Sequence, residues 1–334
     1  MSAAARYGWG VIGCGRMVEK RMAPALVTAE DVSTIAFCSR DQQRAQQFSS
    51  QFGGGPAYAD IDALLADDRI DIIYVALPHT LHAKTAIQCL DAGKHVLVDK
   101  PAATHAKDIV SMVQMAAANE RKLRVLHQQR FHRGNQRLLE MVTDGELGRV
   151  HLVRLQIGMW MRGYSAWRFD PKLAGGGALM DLGPHALDLI LTLLGTPVAV
   201  TAHTSDLALN EQVEDFCAMT IEFDNGRMAV ADFSYSSHAY GGQIDVFGSE
   251  GSVVIRGSMQ QAVEWSMLKR IGNDEGPWET STDLGDCFSD AIAAMHGSIN
   301  GSVADEAYHY VNIGYVIDAA YESAATGRRV SLGR

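Results

Sequence analysis

Two stretches of this 334-residue sequence combine residue types suited to proton transfer at a carbon–oxygen bond. The first is Gly93-Lys94-His95-Val96-Leu97-Val98-Asp99-Lys100-Pro101, an apolar run that ends in Asp-Lys-Pro. Pro101 stops a strand ladder and holds Lys100 extended, which fixes where the lysine side chain departs. The second runs Gly175-Gly176-Gly177-Ala178-Leu179-Met180-Asp181-Leu182-Gly183-Pro184-His185-Ala186-Leu187-Asp188. Asp181 and His185 stand four apart, neighbours on one helix face, and the three glycines permit a close backbone approach and an unusual turn. A lysine can stabilise a developing alkoxide, and an imidazole can exchange a proton near neutral pH. Proline is tolerated in a helix near its first turn, so Pro184 predicts regular helix from about Gly183. The same residues also read as a surface lysine in a turn, and as an N-cap with a partly buried histidine.

A third stretch points to a cofactor. Gly13-Cys14-Gly15 follows the first apolar run, Gly8–Ile12, and opens the first helix-like segment. There a dinucleotide pyrophosphate meets backbone N–H groups and a helix N-terminus. Gly13 would make the tight turn and Gly15 would let the phosphates approach, while the third glycine of G-x-G-x-x-G is replaced by Val18. About 20 residues on, an NAD site carries an acidic residue for the ribose 2′-hydroxyl. Here the positions read Cys38-Ser39-Arg40-Asp41, with Arg44 one turn later. A hydroxyl and two arginines suit a 2′-phosphate, and Asp41 is better placed to cap the following helix. The reading favours NADP(H), with NAD(H) second. Alternatively, Arg40 and Arg44 are solvated surface charges.

The elements that must position these residues alternate. Strands are expected at Gly8–Ile12, Val32–Cys38, Ile70–Leu77, His95–Asp99 and Lys122–Leu126, with helices at Arg16–Ala29, Asp41–Phe52, Leu81–Ala92 and Ala106–Glu120. That rhythm predicts an α/β fold whose N-terminal Rossmann domain, residues 1–128, is a doubly wound parallel sheet. Ligands bind beyond the carboxyl ends of such strands, where Lys100 falls. From residue 129 to 334 the pattern changes to an α+β domain with a large, mostly antiparallel, open-faced sheet. It has helices at Asn135–Thr143, Leu179–Leu194, Phe288–Ile299 and Ala304–Ala325, a strand at Val150–Met159, a loop from Trp160 to Gly177, and strands dominating Val198–Trp265. Asp224-Asn225-Gly226 marks a hairpin turn.

Composition narrows the function. With 29 Lys and Arg against 39 Asp and Glu, the net charge of −10 opposes nucleic-acid and anionic-membrane partners. No apolar run approaches the roughly 18 residues of a membrane span, and Met1–Arg6 leaves no room for a signal peptide before the first strand. Cys14, Cys38, Cys89, Cys217 and Cys287 are scattered and unpaired in pattern, as in a reducing cytoplasm. No metal-ligand set stands out among the 12 histidines.

Taken together, Gly13-Cys14-Gly15, Ser39-Arg40, Pro78-His79-Thr80-Leu81-His82, Asp99-Lys100-Pro101, Trp167-Arg168 and Asp181 through His185 resemble the glucose–fructose oxidoreductase / inositol 2-dehydrogenase / MocA (GFO/IDH/MocA) family of NAD(P)-dependent oxidoreductases. The resemblance spans nearly the whole chain, from Trp9 to about Leu332. It implies a catalytic group of Lys100, Asp181 and His185. It implies cofactor contacts at Gly13, Cys14, Gly15, Arg16, Met17, Ser39, Arg40, Arg44, Leu77, Pro78, His79, His82, Asp99, Lys100, Trp167 and Arg168. Substrate contacts fall at Gln128, Arg130 and His132, beside the catalytic group. The sequence departs from the family at Val18 and at Asp99, where Glu is usual; the shorter side chain draws its carboxylate back by one methylene from the nicotinamide ribose.

Ser39-Arg40 with Trp167-Arg168 is most similar to NADP-using sugar reductases, such as the 1,5-anhydrofructose reductases, and to xylose dehydrogenases. The implied reaction is hydride transfer between NADP(H) and a carbonyl or secondary alcohol of a sugar, polyol or cyclitol. Two alternatives share the fold: a dinucleotide-binding regulator without turnover, opposed by Lys100, Asp181 and His185, and an NAD-retaining glycoside hydrolase, opposed by Ser39-Arg40. An open sheet face around Val213–Phe223 and Arg227–Phe233 predicts a homodimer or homotetramer.

Overall fold

The computed structural model describes residues 6–238, 242–259 and 264–333. Most of the Met1–Arg6 stretch lies outside the described residues, as do 239–241 and 260–263 of the strand-rich span, and residue 334. The chain divides into two compact units, one of residues 1–103, 107–126 and 288–307, the other of 104–106, 127–287 and 308–334. A single cut after residue 128 therefore does not describe the chain, because residues 288–307 return to the first unit. The helix Cys287–Asn300 is held there by specific partners. Trp9 Nε1 donates to His296 Nε2 at 3.1 Å, and the Tyr7 ring stacks on His296 at 4.6 Å. Arg124 reaches Ser298 Oγ at 2.9 Å and Glu306 at 2.6 Å.

The first unit is built on six strands: Tyr7–Ile12 (β1), Val32–Cys38 (β2), Ala57–Tyr58 (β3), Ile72–Val75 (β4), His95–Asp99 (β5) and Leu123–Leu126 (β6). They run in the order β3-β2-β1-β4-β5-β6 with every pair parallel. This is the doubly wound order of dinucleotide-binding sheets. All four residues of β4 are buried, which explains its unbroken apolar sequence. Two elements carry too few residues to leave a pattern: β3 and the helix Ile61–Leu65. The first helical segment, expected as one regular helix, opens into a π turn at Val18–Met22, where the Ala23 N–H donates to the Val18 carbonyl. Val18 is fully buried; this is the position where a third glycine would bring the helix closer to the sheet, and the turn is widened there instead.

The second unit carries nine strands: Leu152–Gly158 (β7), Pro197–Ser205 (β8), Phe216–Phe223 (β9), Met228–Ser234 (β10), Gln243–Phe247 (β11), Gly251–Arg256 (β12), Trp265–Ile271 (β13), Asp274–Ser281 (β14) and Val330–Ser331 (β15). Their order is β14-β13-β12-β11-β7-β10-β9-β8-β15. The β7–β10 pair is parallel and the other neighbours are antiparallel. Asp224-Asn225-Gly226 turns β9 into β10, with Gly226 at φ 79° and the Phe223 N–H donating to Arg227 at 3.0 Å. Along β7, Val153, Leu155 and Ile157 face the core, while Arg154 and Gln156 are exposed. The helix Ala178–Leu194 packs against β7, β9 and β10 and is buried at every residue except Thr192.

Two of the expected elements differ. That helix starts at Ala178, not Gly183, and passes straight through Pro184. Its neighbour Gly183 has no Cβ to clash with the proline ring, so the helical conformation before Pro184 costs little. The segment from Trp160 to Gly177 is not all loop: it holds a 3₁₀ turn, Ala166–Phe169, and a helical turn, Pro171–Ala174, capped by Asp170. Residues Pro171–Leu194 are long and apolar enough by length and composition to cross a membrane, but their most apolar part is 94% buried within the protein, as in a core helix.

Candidate active site

In the first unit, the connection after β1 is shaped by glycine. Gly13 has φ 106°, and a Cβ there would lie 2.2 Å from the Ala76 carbonyl of the neighbouring β4 connection, so no other residue fits. A Cβ on Gly15 would meet nothing within 4 Å, leaving that side of the turn open. Arg16 is exposed and Met17 half-buried. Burial pushes the Cys14 thiol up to about 12, against a smaller opposing pull from Arg44, so it is no thiolate nucleophile at neutral pH.

At the end of β2, Asp41 caps the helix Gln42–Gln51, its carboxylate accepting from the N–H groups of Gln43 (2.9 Å) and Arg44 (3.3 Å). Ser39 is half-buried and Arg40 exposed. Arg44 is tied back to the glycine turn: its Nε donates to the Cys14 carbonyl at 3.2 Å, and its guanidinium lies 4.6 Å over the Phe48 ring.

The connections after β4 and β5 meet through a histidine. His82 is fully buried, its Nδ1 2.7 Å from the Pro101 carbonyl and its Nε2 2.7 Å from the Leu77 carbonyl. Its ring is edge-on to buried His79, 5.8 Å away. Leu77, Pro78 and Lys100 are half-buried. The Asp99 carboxylate turns to protein donors: Oδ1 accepts the Lys100 N–H at 2.8 Å and Oδ2 accepts the hydroxyl of fully buried Tyr74 at 3.2 Å. The Lys100–Pro101 peptide is cis.

In the second unit, the helix Ala178–Leu194 brings Asp181, His185 and Asp188 onto one face, as i, i+4 and i+7. Asp181 and His185 are only 4% and 8% exposed. Asp181 Oδ2 accepts from the Tyr235 hydroxyl at 2.9 Å and from Arg168 Nε at 3.3 Å. The helix start is seated on Glu214, whose carboxylate accepts from the N–H groups of Gly177 (2.8 Å) and Leu179 (3.0 Å) and from the Tyr321 hydroxyl (2.8 Å). This explains the glycines: a Cβ at Gly177 would lie 1.9 Å from the Glu214 carbonyl, and one at Gly176 would lie 2.1 Å from the Tyr321 hydroxyl.

Three residues expected at the substrate meet different fates. Arg130 pairs with Asp188 through Nε (3.1 Å) and Nη2, and His309 Nε2 lies 2.8 Å from the same carboxylate. Burial alone would raise Asp188, but His127, Arg130 and His309 outweigh it and hold the carboxyl far below the usual range. His132 caps the helix Arg133–Thr143, its Nδ1 accepting from the Gly134 N–H at 3.1 Å, and burial draws its pKa down to about 4. Gln128 keeps a buried Oε1 without a hydrogen-bond partner among the described residues. Trp167 sits on the 3₁₀ turn with the Arg168 guanidinium 4.6 Å over its ring.

Sequence reasoning missed Tyr74, Tyr235, Glu214, Tyr321 and His309, which lie far along the chain from the groups they hold. Asp188 did carry a signal, its spacing from Asp181 and His185.

A 3-2-1-4-5-6 parallel sheet with a glycine turn in one unit, and in the other a central helix that buries an Asp and a His one turn apart, define a dinucleotide-binding oxidoreductase. Family models agree in both halves: "Oxidoreductase family, NAD-binding Rossmann fold" matches residues 7–127, and "GFO/IDH/MocA C-terminal domain" matches 135–254. The chain belongs to the GFO/IDH/MocA family, and is an NAD(P)-binding oxidoreductase acting on CH–OH groups. It is 30% identical to D-xylose 1-dehydrogenase (NADP(+)) 2 of Haloferax volcanii, covering 97% of this chain and 99% of that one. It is 25% identical to 1,5-anhydro-D-fructose reductase of Ensifer adhaerens over 88% of each. Among solved structures, the aldose-aldose oxidoreductase from Caulobacter crescentus, complexed with glycerol, superposes with a TM-score of 0.89 at 27% identity, covering 98% of this chain and 100% of that one.

Proposed function

We propose that this protein is an NADP(H)-dependent oxidoreductase that interconverts a secondary alcohol and a carbonyl on a sugar, polyol or cyclitol. Lys100, Asp181 and His185 are its catalytic group. The observation that carries this reading is the buried Asp181–His185 pair on one helix turn, its carboxylate held by Tyr235 and Arg168. The sugar-directed names of its relatives support the substrate class.

The glycine turn fits a dinucleotide: Gly13 needs its positive φ, and the open side of Gly15 admits a phosphate. Gly13, Cys14, Gly15, Arg16 and Met17 would hold the pyrophosphate. Ser39, Arg40 and Arg44 would hold a 2′-phosphate, a preference supported by Asp41 being engaged as a helix cap. Leu77, Pro78, His79, Asp99, Lys100, Trp167 and Arg168 would complete the cofactor contacts, whereas His82, expected among them, has both ring nitrogens against the Pro101 and Leu77 carbonyls. When bound, the nicotinamide supplies the hydride acceptor or donor.

The protein's own residues handle the proton and the charge. In oxidation, His185 takes the hydroxyl proton as the carbon–hydrogen bond breaks. Lys100 stabilises the developing alkoxide, and in reduction it steadies the same oxygen as His185 returns the proton. Asp181 orients the substrate or His185 by a charge-assisted hydrogen bond. Gln128 offers its Oε1 to a substrate hydroxyl, with Arg130 and His132 shaping the wall. The enzyme works in the cytoplasm as a homodimer or homotetramer.

Titration with NADPH and with NADH, followed by nicotinamide fluorescence, tests the cofactor half. Tighter NADPH binding is expected, and tighter NADH binding would overturn the assignment of Ser39, Arg40 and Arg44.

A further inference from the structure

Resting on the reading of Lys100 as a catalytic residue, we propose that His82 is a positioning residue that fixes Lys100 by clamping the connection after β5 to the connection after β4. The clamp is geometric. His82 opens the helix His82–Asp91 and is fully buried, so neither ring nitrogen is offered to a ligand. One nitrogen meets the carbonyl of Pro101, the residue after Lys100, and the other meets the carbonyl of Leu77, each at 2.7 Å. The Leu77 connection is itself anchored, since Ala76 donates to Ile12 of β1 at 2.9 Å and its carbonyl lies against Gly13.

The other side of Lys100 is held as well. Its N–H donates to Asp99 Oδ1, while Tyr74 in β4 pins Asp99 Oδ2. A histidine at a helix start on one side, and strand residues Asp99 and Tyr74 on the other, thus hold the backbone around the Lys100 Cα. A lysine side chain is long and flexible, so where its ammonium dwells depends on how firmly its Cα is placed. Misplacing a catalytic group by about 1 Å can cost on the order of 100-fold in rate. A carbonyl only accepts, so a neutral imidazole donates to one of the two and a protonated ring to both. Burial draws His82 below the ordinary histidine value, with Asp99 and the two carbonyls pulling the other way.

The test compares wild type, His82→Leu, His82→Asn and Lys100→Met by turnover of a keto-sugar. The rate is expressed per NADPH-binding site counted by fluorescence titration, with NADPH and with NADPH deuterated at the transferring position. Loss of the clamp should lower the per-site kcat about 10–100-fold in His82→Leu, with an isotope effect no smaller than in wild type. His82→Asn, which keeps an amide NH2 for one carbonyl but not the ring that reaches both, should fall between wild type and His82→Leu. A merely structural role would reduce the number of binding sites and leave the per-site kcat within twofold of wild type, which would overturn the proposal. Should His82→Leu fail to fold, His82→Asn and His82→Gln decide by the same readout. Lys100→Met separates the two claims. If it loses about 10²–10³-fold while the His82 variants match wild type, only the clamp is wrong. If it retains turnover, the catalytic assignment fails with it.

Discussion

Asp41 and Arg44 divide the end of β2 between helix and turn: the aspartate caps the helix, and the arginine reaches back to the Cys14 carbonyl. If Arg44 meets a 2′-phosphate, Arg44→Ala should weaken NADPH binding about 10–100-fold, from the roughly 1.5–3 kcal/mol of a hydrogen bond to a charged group, and leave NADH nearly unchanged. Equal weakening of both cofactors would assign Arg44 to the fold of the turn instead. On the second unit, Tyr235→Phe removes one of the donors that hold Asp181 while keeping the ring. Steady-state kinetics should show kcat/KM lowered by about tenfold or more, and wild-type kinetics would detach Tyr235 from the site. At this scale the sequence was legible where contacts are local: Asp181 and His185 were expected one helix turn apart and lie so, and Asp41 was recognisable as a cap from its place before a helix. Tyr235 and Glu214 were not, because a partner 54 or 37 residues away leaves no spacing to read.

Helix ends decide much of the element-scale behaviour. The helix that carries Asp181 and His185 begins on the Glu214 carboxylate, which takes two backbone N–H groups and the Tyr321 hydroxyl. Glu214→Gln keeps one acceptor oxygen but turns an amide NH2 toward at least one of those donors, and thermal unfolding should show a loss of about 1–3 kcal/mol. An unchanged Tm would mean the seat is not structural. His132 caps another helix with a ring whose pKa is drawn down to about 4, below the free value of about 6.5. Above that free value both folded and unfolded chains leave the ring neutral. Between the two values the unfolded chain binds a proton that the folded chain does not, so stability must fall as pH falls through this window. His132→Asn keeps a capping acceptor and removes the titration, so its Tm should decline less between pH 6.5 and 4 than that of wild type; an equal decline would exclude His132 as a contributor. The patterns of period and punctuation placed most helices and strands within a few residues. They placed the central helix from Leu179, one residue from its observed start at Ala178; only the proline argument, which moved regular helix to about Gly183, failed, because it left out the missing Cβ of Gly183.

At the scale of the whole molecule, the alternation of strand and helix made the doubly wound unit legible, and the hairpin turn made part of the second sheet so. What could not be read was the return of residues 288–307 to the first unit. Amphipathic periodicity shows that a helix buries a face, not which core receives it, and His296 finds Trp9 across 287 positions. The outer face of the nine-stranded sheet carries Met228 and Val230 beside Arg154 and Gln156, all exposed. Light scattering at micromolar protein should therefore give a dimer or tetramer, and a monomer would end that reading. The proposed chemistry needs Lys100 of the first unit and Asp181 and His185 of the second. Its most direct test is NADP(H)-linked turnover of a panel of aldoses, keto-sugars and cyclitols by wild type, Lys100→Met and His185→Asn, each first shown to bind NADPH. Turnover by wild type and losses of about 10²-fold or more in both variants are expected. Wild-type rates in either variant would contradict that chemistry.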